Sequence, residues 1–217
     1  MPIYIFDLDL TLTKKDTYVP FLLQCLKKKK RAVFYFPFLI FSVFQFIFKK
    51  IDNSELKQRF LSAFLSGVSL NEIQPIIDSF SQKILMDGLF VDAIKELEML
   101  LKNGNTVILA SASLDIYVNK IGRLLNFSKI ISTRVEIDSH NKITGKISGV
   151  NLRGVKKLQI IKNYLRETSG KNITFYSDSI SDLPLFEWVE YPIIINYNTK
   201  YHYKLKDLKK LDFRYWS

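Results

Sequence analysis

Four short runs of apolar, β-branched and aromatic residues recur along the chain, and each stops at polar side chains. Ile3-Tyr4-Ile5-Phe6 stops at Asp7, Thr106-Val107-Ile108-Leu109-Ala110 at Ser111, Ile173-Thr174-Phe175-Tyr176 at Ser177-Asp178, and Pro192 to Ile195 near Asn196. Hydrophobicity that is continuous rather than alternating is how a strand buried on both faces reads. Helical patterns lie between the runs: Val91 to Lys102, closed by the stop signal Asn103-Gly104, then Leu114 to Leu125 and Lys156 to Leu165. Strands alternating with helices predict an α/β fold, a doubly wound parallel sheet whose working site lies beyond the carboxyl ends of its strands. One stretch breaks the rhythm. Val135, Ile137, Ile143 and Ile147 alternate around Asp138-Ser139-His140-Asn141, which predicts a hairpin with a polar turn within Ser132 to Gly149.

Lys14 to about Leu85 carries no strand signal and reads as helical. At 217 residues the chain has room for one full domain and a sizeable insertion. The expected organisation is therefore a core of residues 1–13 and 86–217, with a helical cap, 14–85, inserted after the first strand. Within the cap, Ala32 to Phe48 is 17 residues without a charge and with seven phenylalanines, close to the length that spans a bilayer. The net charge of +11 gathers around it: Lys27 to Arg31 with Lys49 and Lys50 supply seven positive charges, Lys200 to Ser217 a net four, and the remainder is neutral. A bracket around one apolar segment differs from the basic stripe of many nucleic-acid binders, and favours an anionic membrane surface. A single crossing would place Asp7 and the later polar strand ends on opposite sides of a bilayer. The expectation is an embedded or interfacial helical hairpin, broken at Pro37, with its lysines among lipid headgroups. The competing reading is a helix packed inside the cap of a soluble protein, or at an oligomer interface.

The N-terminus lacks the features of a secretory signal, so no export is expected. The single cysteine, Cys25, excludes a disulfide framework or cysteine-rich zinc site and suits a reducing compartment. His140 and His202 have no partners at ligand spacing and read as turn or surface residues. Tyr201, Tyr203, Tyr215 and Trp216 in the basic tail fit either an interfacial anchor or a packed C-terminal end.

Chemistry concentrates at the strand ends. In Asp7-Leu8-Asp9-Leu10-Thr11, strand alternation would put both carboxylates on one face, and Asp178-Ser179-Ile180-Ser181-Asp182 adds two more at the same edge. Any one of these acids reads equally as a turn or helix cap. Four together repel one another unless a cation or a shared proton relieves them, and oxygen ligands in that number suit Mg²⁺ bridging to a phosphate. Ser111, opening a helix, and Lys157 are of the types that hold phosphate oxygens.

Asp7-x-Asp9-x-Thr11, Ser111 after a strand, Gly154-Val155-Lys156-Lys157 and Asp178-x-x-x-Asp182 occur in the order found in the haloacid dehalogenase-like phosphatases, which the chain resembles over nearly its whole length. The resemblance implies that Asp7 is the nucleophile and forms an aspartyl-phosphate, and that Asp9 is the general acid and base. It implies that Mg²⁺ is held by Asp7, Asp9 and Asp178, with Asp182 as ligand or support. Ser111 and Lys157 would bind the phosphoryl group, and Thr11 would orient the first loop. Two departures are visible: Leu10 stands where many members have glycine, and adjacent Lys156 leaves open which lysine reaches the site. Phe6 to Thr13, the insertion after it and Tyr176-Ser177-Asp178-Ser179 resemble the phosphoserine phosphatase subgroup. The basic stretch and Phe-rich segment resemble the bacterial phosphatidylglycerophosphate phosphatases, which implies a lipid headgroup phosphate as substrate and the cytoplasmic face of the membrane as location. The alternatives are a soluble phosphatase for a small metabolite and a non-catalytic basic module binding membrane or RNA.

Overall fold

The computed structural model describes residues 2–166, 169–197, 208 and 210–217. Its strands are β1 Ile3–Phe6, β2 Thr106–Leu114, β3 Lys129–Ile137, β4 Ile143–Ser148, β5 Ile173–Ser177, β6 Tyr191–Ile195 and β7 Asp212–Arg214. They form one sheet in the order β4-β3-β2-β1-β5-β6-β7, parallel throughout except for β4, which pairs antiparallel with β3. The predicted α/β sheet and its hairpin are both present. Phe6 stands in register with Leu109 on one side and Tyr176 on the other. The segments that follow these three residues therefore leave the sheet along one edge.

Helices α5 Val91–Lys102, α6 Asp115–Leu124, α7 Val155–Leu165 and α8 Leu183–Trp188 cover the two faces. Ile5 joins an apolar cluster with Ile161 of α7 and Leu185 and Phe186 of α8. Its neighbour Phe6 joins the opposite cluster, with Leu97 of α5 and Ile121 of α6. Burial on both faces is why the strand sequences show no alternation.

Residues between β1 and α5 fold as helices: α1 Tyr18–Cys25, a tight turn of 3-10 helix at Lys30–Tyr35, α2 Phe36–Ile47, α3 Asn53–Leu65 and α4 Leu70–Lys83. Asp52 caps α3 by accepting the Glu55 N–H at 2.8 Å, and Ser69 with Glu72 forms a reciprocal capping box on α4. The insertion closes at its base, where Lys14 N–H donates to Gly88 C=O and Phe90 N–H to Leu12 C=O. It is tied to the hairpin as well: Gly67 N–H donates to Ile143 C=O at 2.7 Å, and Ile143 N–H to Val68 C=O at 2.9 Å.

Several sequence expectations need correction. Pro37 does not break a hairpin within Ala32 to Phe48; it sits in the first turn of α2, where a missing N–H costs nothing. The segment is not packed inside the cap either. Leu39 and Ser42 are buried, while Phe34, Phe41, Phe44 and Phe48 are 84%, 58%, 54% and 70% exposed. Lys30–Ile47 is long and apolar enough by composition to cross a membrane. Strand β2 does not stop at Ser111 but continues through a register shift to Leu114. Edge strand β7 is too short to have left a pattern. At the C-terminus Trp216 is buried and packs against Phe6 and Tyr176, at 6.3 and 5.8 Å between ring centroids, so it is not an interfacial anchor. Tyr201, His202 and Tyr203 lie outside the described residues.

Gly145 lets the hairpin meet the insertion. Its φ is +89°, and a Cβ there would lie 2.9 Å from Ser62 Cα in α3. Gly145→Ala should cost about 2 kcal/mol, from backbone strain and overpacking together. Denaturant melts of the two proteins check this, and equal midpoints would contradict the contact.

Candidate active site

Beyond Phe6 the chain leaves the sheet and turns back on itself. The N–H groups of Thr11, Leu12 and Thr13 converge on the Leu8 carbonyl at 3.3, 2.9 and 3.0 Å. Asp7 therefore ends the strand, its N–H donating to the Tyr176 carbonyl at 2.9 Å, while Asp9 sits in the tight turn, so the two do not share a continuing strand face as alternation suggests. Leu10 takes φ +57° within this turn, a left-handed conformation that costs a side-chain-bearing residue about 1 kcal/mol. That explains why glycine suits this position.

Asp7, Asp9, Asp178, Asp182 and Lys157 line one cavity of about 460 Å³. Lys157 occupies the first turns of α7 and is 2% exposed; its Nζ lies 3.2 Å from Asp7 Oδ1 and 2.6 Å from Asp182 Oδ2. Lys156, one residue earlier on the helix, points outward and is exposed. Asp182 Oδ2 also accepts from Ser177 Oγ at 3.0 Å. Thr11 and Ser111 are brought close but not into the cavity wall. Thr11 Oγ1 accepts the Asp178 N–H at 3.0 Å and donates to Asp178 Oδ1 at 3.4 Å, so it joins the first loop to the third acid. Ser111 is fully buried and accepts the Ser113 N–H at 3.0 Å. Because β2 runs on to Leu114, Ala112 and Ser113 reach the cavity wall.

Asp9 is held from two sides. Thr17 donates to its Oδ1 through both N–H (2.7 Å) and Oγ (2.6 Å), and Ser113 Oγ donates to Oδ2 at 2.5 Å. The cavity includes residues that the motifs did not identify: Asp16, Lys57 and Arg153, with Val43, Leu56 and Phe60 on its apolar side. Lys57 reaches from α3 to donate to the Ala112 carbonyl at 2.6 Å and to Asn151 Oδ1 at 3.2 Å. Burial lowers its ammonium pKa to about 8. In the sequence it is one lysine on an amphipathic helix, without a signal of its own.

Burial, with Asp182 and Asp178 nearby, pushes the Asp7 carboxyl up to about 7 despite Lys157, and burial followed by Asp182 pushes Asp178 up to about 6. Burial alone would lower the Lys157 pKa, but Asp182 and Asp7 raise it above its ordinary value, so it stays charged. The cluster still wants positive charge. Asp182 Oδ1 is buried without a hydrogen-bond partner among the described residues. No three acidic, histidine or cysteine side chains among those residues converge tightly enough to hold a metal alone. Mg²⁺ does not need such a cage, since it keeps waters and uses one or two carboxylates with a substrate phosphate. The donor set fits Mg²⁺ on those terms through Asp7 and Asp178, with Asp182 beside them on the cavity wall; both Asp9 carboxylate oxygens already accept hydrogen bonds, which suits a proton carrier and not a ligand.

The raised pKa values give a sign to the pH response. Carboxyls that hold protons more tightly when folded favour the fold at low pH, and lose that contribution as pH rises through about 6 to 7. Mg²⁺ should therefore raise the melting temperature by a few degrees at about pH 7.5, and by less at about pH 5, where it must displace protons. Equal shifts in calorimetry at the two pH values would contradict the placement of the metal at these carboxylates.

The chain is 28% identical over 202 residues to a probable phosphatase of Mycobacterium tuberculosis, covering 88% of this chain and 67% of that protein. It spans 53% to 67% of the length of the first curated relatives it matches. Its fold is similar to that of a Bordetella pertussis Tohama I protein with unknown function, at TM-score 0.81 and 21% identity over 97% of this chain and 96% of that one. It is also similar to phosphoserine phosphatase in the form of a phospho-aspartyl intermediate analogue, at TM-score 0.62 and 16% identity over 98% and 92%. The family model for haloacid dehalogenase-like hydrolases matches residues 4–187, which takes in both acidic loops and Lys157, and the chain belongs to that family.

Proposed function

We propose that this protein is a phosphatase that passes the phosphoryl group of a phosphomonoester to Asp7 and then to water. We further propose that its substrate is a lipid phosphate, such as phosphatidylglycerophosphate, met at an anionic membrane surface. An Asp7 oxygen attacks phosphorus, the P–O bond to the leaving group breaks, and Asp9 gives its proton to the departing alkoxide. Asp9 then takes a proton from the water that attacks the aspartyl-phosphate, which returns the Asp7 carboxylate and releases inorganic phosphate. Lys157, and from beneath the cavity wall the Ser111 hydroxyl, hold phosphoryl oxygens. Mg²⁺, when bound, supplies charge neutralisation at the phosphoryl group. Family membership, the probable phosphatase of M. tuberculosis and the fold shared with phosphoserine phosphatase support this chemistry.

One observation carries the lipid reading: Val43, on the exposed apolar helix α2, lines the same cavity as Asp7 and Asp9. A surface that seats α2 would bring its headgroups beside the carboxylates. Lys27, Lys28, Lys30, Arg31, Lys49 and Lys50 are exposed at the two ends of the apolar segment, and each is worth about 1 kcal/mol near anionic lipid. Lys29 instead turns inward and donates to the Ser62 and Ser66 carbonyls. Leu39 and Ser42 keep α2 packed on the protein, which suits a helix lying in the interface. The free thiol of Cys25 fits the cytoplasmic side. A second reading, a soluble phosphatase for a small polar metabolite, draws on the charged wall formed by Asp16, Lys57 and Arg153.

Phosphate release with Mg²⁺ from phosphatidylglycerophosphate in mixed micelles, against phosphoserine in buffer, separates the two readings. Asp7→Asn should lower turnover by about a thousandfold or more and serve as the blank. Preference for the lipid is the expected result, and preference for phosphoserine would overturn the lipid assignment. The double variant Phe41→Ser with Phe44→Ser should weaken sedimentation with anionic vesicles by about tenfold or more, since two exposed rings lose their apolar burial. Unchanged sedimentation would contradict docking through α2.

A further inference from the structure

Among the described residues, the three hydrogen bonds to the Asp9 carboxylate come from outside its own turn, two from Thr17 and one from Ser113. Thr17 is the N-terminal cap residue of α1, a position where a threonine oxygen ordinarily accepts from the free N–H groups of its helix. It makes no such bond here. Its hydroxyl proton goes to Asp9 instead. Tyr117 OH lies 2.9 Å from Thr17 Oγ, and while Asp9 is ionised that contact has only one possible direction. A carboxylate accepts and cannot donate, so Thr17 donates to Asp9 and Tyr117 donates to Thr17.

Tyr117 belongs to α6 and is fully buried. Its ring lies against Phe21 of α1 and Phe80 of α4, at 4.5 and 5.4 Å between centroids. Neither Tyr117 nor Thr17 lines the catalytic cavity, so neither touches a substrate there. What they can do is aim Asp9.

We propose that Tyr117 is a positioning residue: through Thr17 it orients the Asp9 carboxyl toward the leaving-group oxygen, and so makes proton delivery depend on how the inserted helices seat against α6. The proposal rests on the reading of Asp9 as general acid.

The test uses kcat/KM, which ends at departure of the leaving group and omits the later hydrolysis of the aspartyl-phosphate. Glycerol 2-phosphate leaves as an alkoxide that needs a proton, whereas p-nitrophenyl phosphate leaves as a phenolate that does not. Both are assayed with Mg²⁺ in the same detergent micelles. Tyr117→Phe keeps the ring and removes the hydroxyl; it should lower kcat/KM about tenfold for the alkyl ester and no more than about threefold for the aryl ester. Thr17→Val should reproduce that split even if Tyr117→Phe folds poorly, and Thr17→Ser should restore the wild-type ratio. Equal losses on the two esters, or no loss, would overturn the relay and leave Asp9 as the acid. Full turnover by Asp7→Asn would remove the catalytic reading of the first loop, and the relay with it.

Discussion

Lys157 stands between two carboxylates, 3.2 Å from Asp7 and 2.6 Å from Asp182, in surroundings almost closed to water. A parallel sheet brings its strand ends to one edge, and here that edge delivers four acids to one cavity. Their mutual repulsion has to be met by charge, because burial denies them solvent. The lysine meets part of it; burial first, and the neighbouring acids after it, still hold the Asp7 and Asp178 carboxyls above their usual range. Such a pair is weak support for stability as such, since its desolvation offsets much of its attraction. Its effect is on position: it fixes where the first acid points. Gly154 permits the approach of α7 to the second acidic loop. With φ +57°, it lies where an added Cβ would meet the Ser181 carbonyl oxygen at 3.1 Å.

The same physics governs what could be read without coordinates. Strands such as Ile3–Phe6 were legible because burial on both faces leaves no room for polar residues, and their ends were legible because polarity begins abruptly there. The carboxylates stood out for that reason. Lys57, Thr17 and Tyr117 did not, since each fits an ordinary role in its own helix. Lys57 gains its place from the Ala112 carbonyl and Thr17 from a hydroxyl on α6, and contacts over such chain distances leave no local pattern. Ser111 shows the opposite case: the motif is visible, but the wall above it is made by Ala112 and Ser113, which the continuation of β2 past Ser111 carries to the cavity. Pro37 was legible as a helix boundary, though it begins a helix where a break was expected.

The insertion joins two demands that a soluble enzyme usually keeps apart. Tyr18, Lys57 and Phe60 share the cavity wall with the carboxylates, while Val43 carries the wall on to a helix whose outer face is phenylalanine. Arg59 steadies that helix by donating to Ser42 Oγ and Gln45 Oε1, with its guanidinium over the Phe38 ring. On the proposed reading, one short stretch of chain sets both the access to phosphorus and the surface on which the protein works. The backbone bonds between the hairpin and residues 67–70 hold it against the core.

The central claim is that Asp7 carries the phosphoryl group. Rapid quenching during turnover, followed by borohydride reduction and peptide mass spectrometry, converts an aspartyl-phosphate to homoserine and so marks the residue that held it. Homoserine is expected at position 7, and none in Asp7→Asn. Reduction at Asp9 or Asp178 instead, or at no aspartate while phosphate is being released, would contradict it.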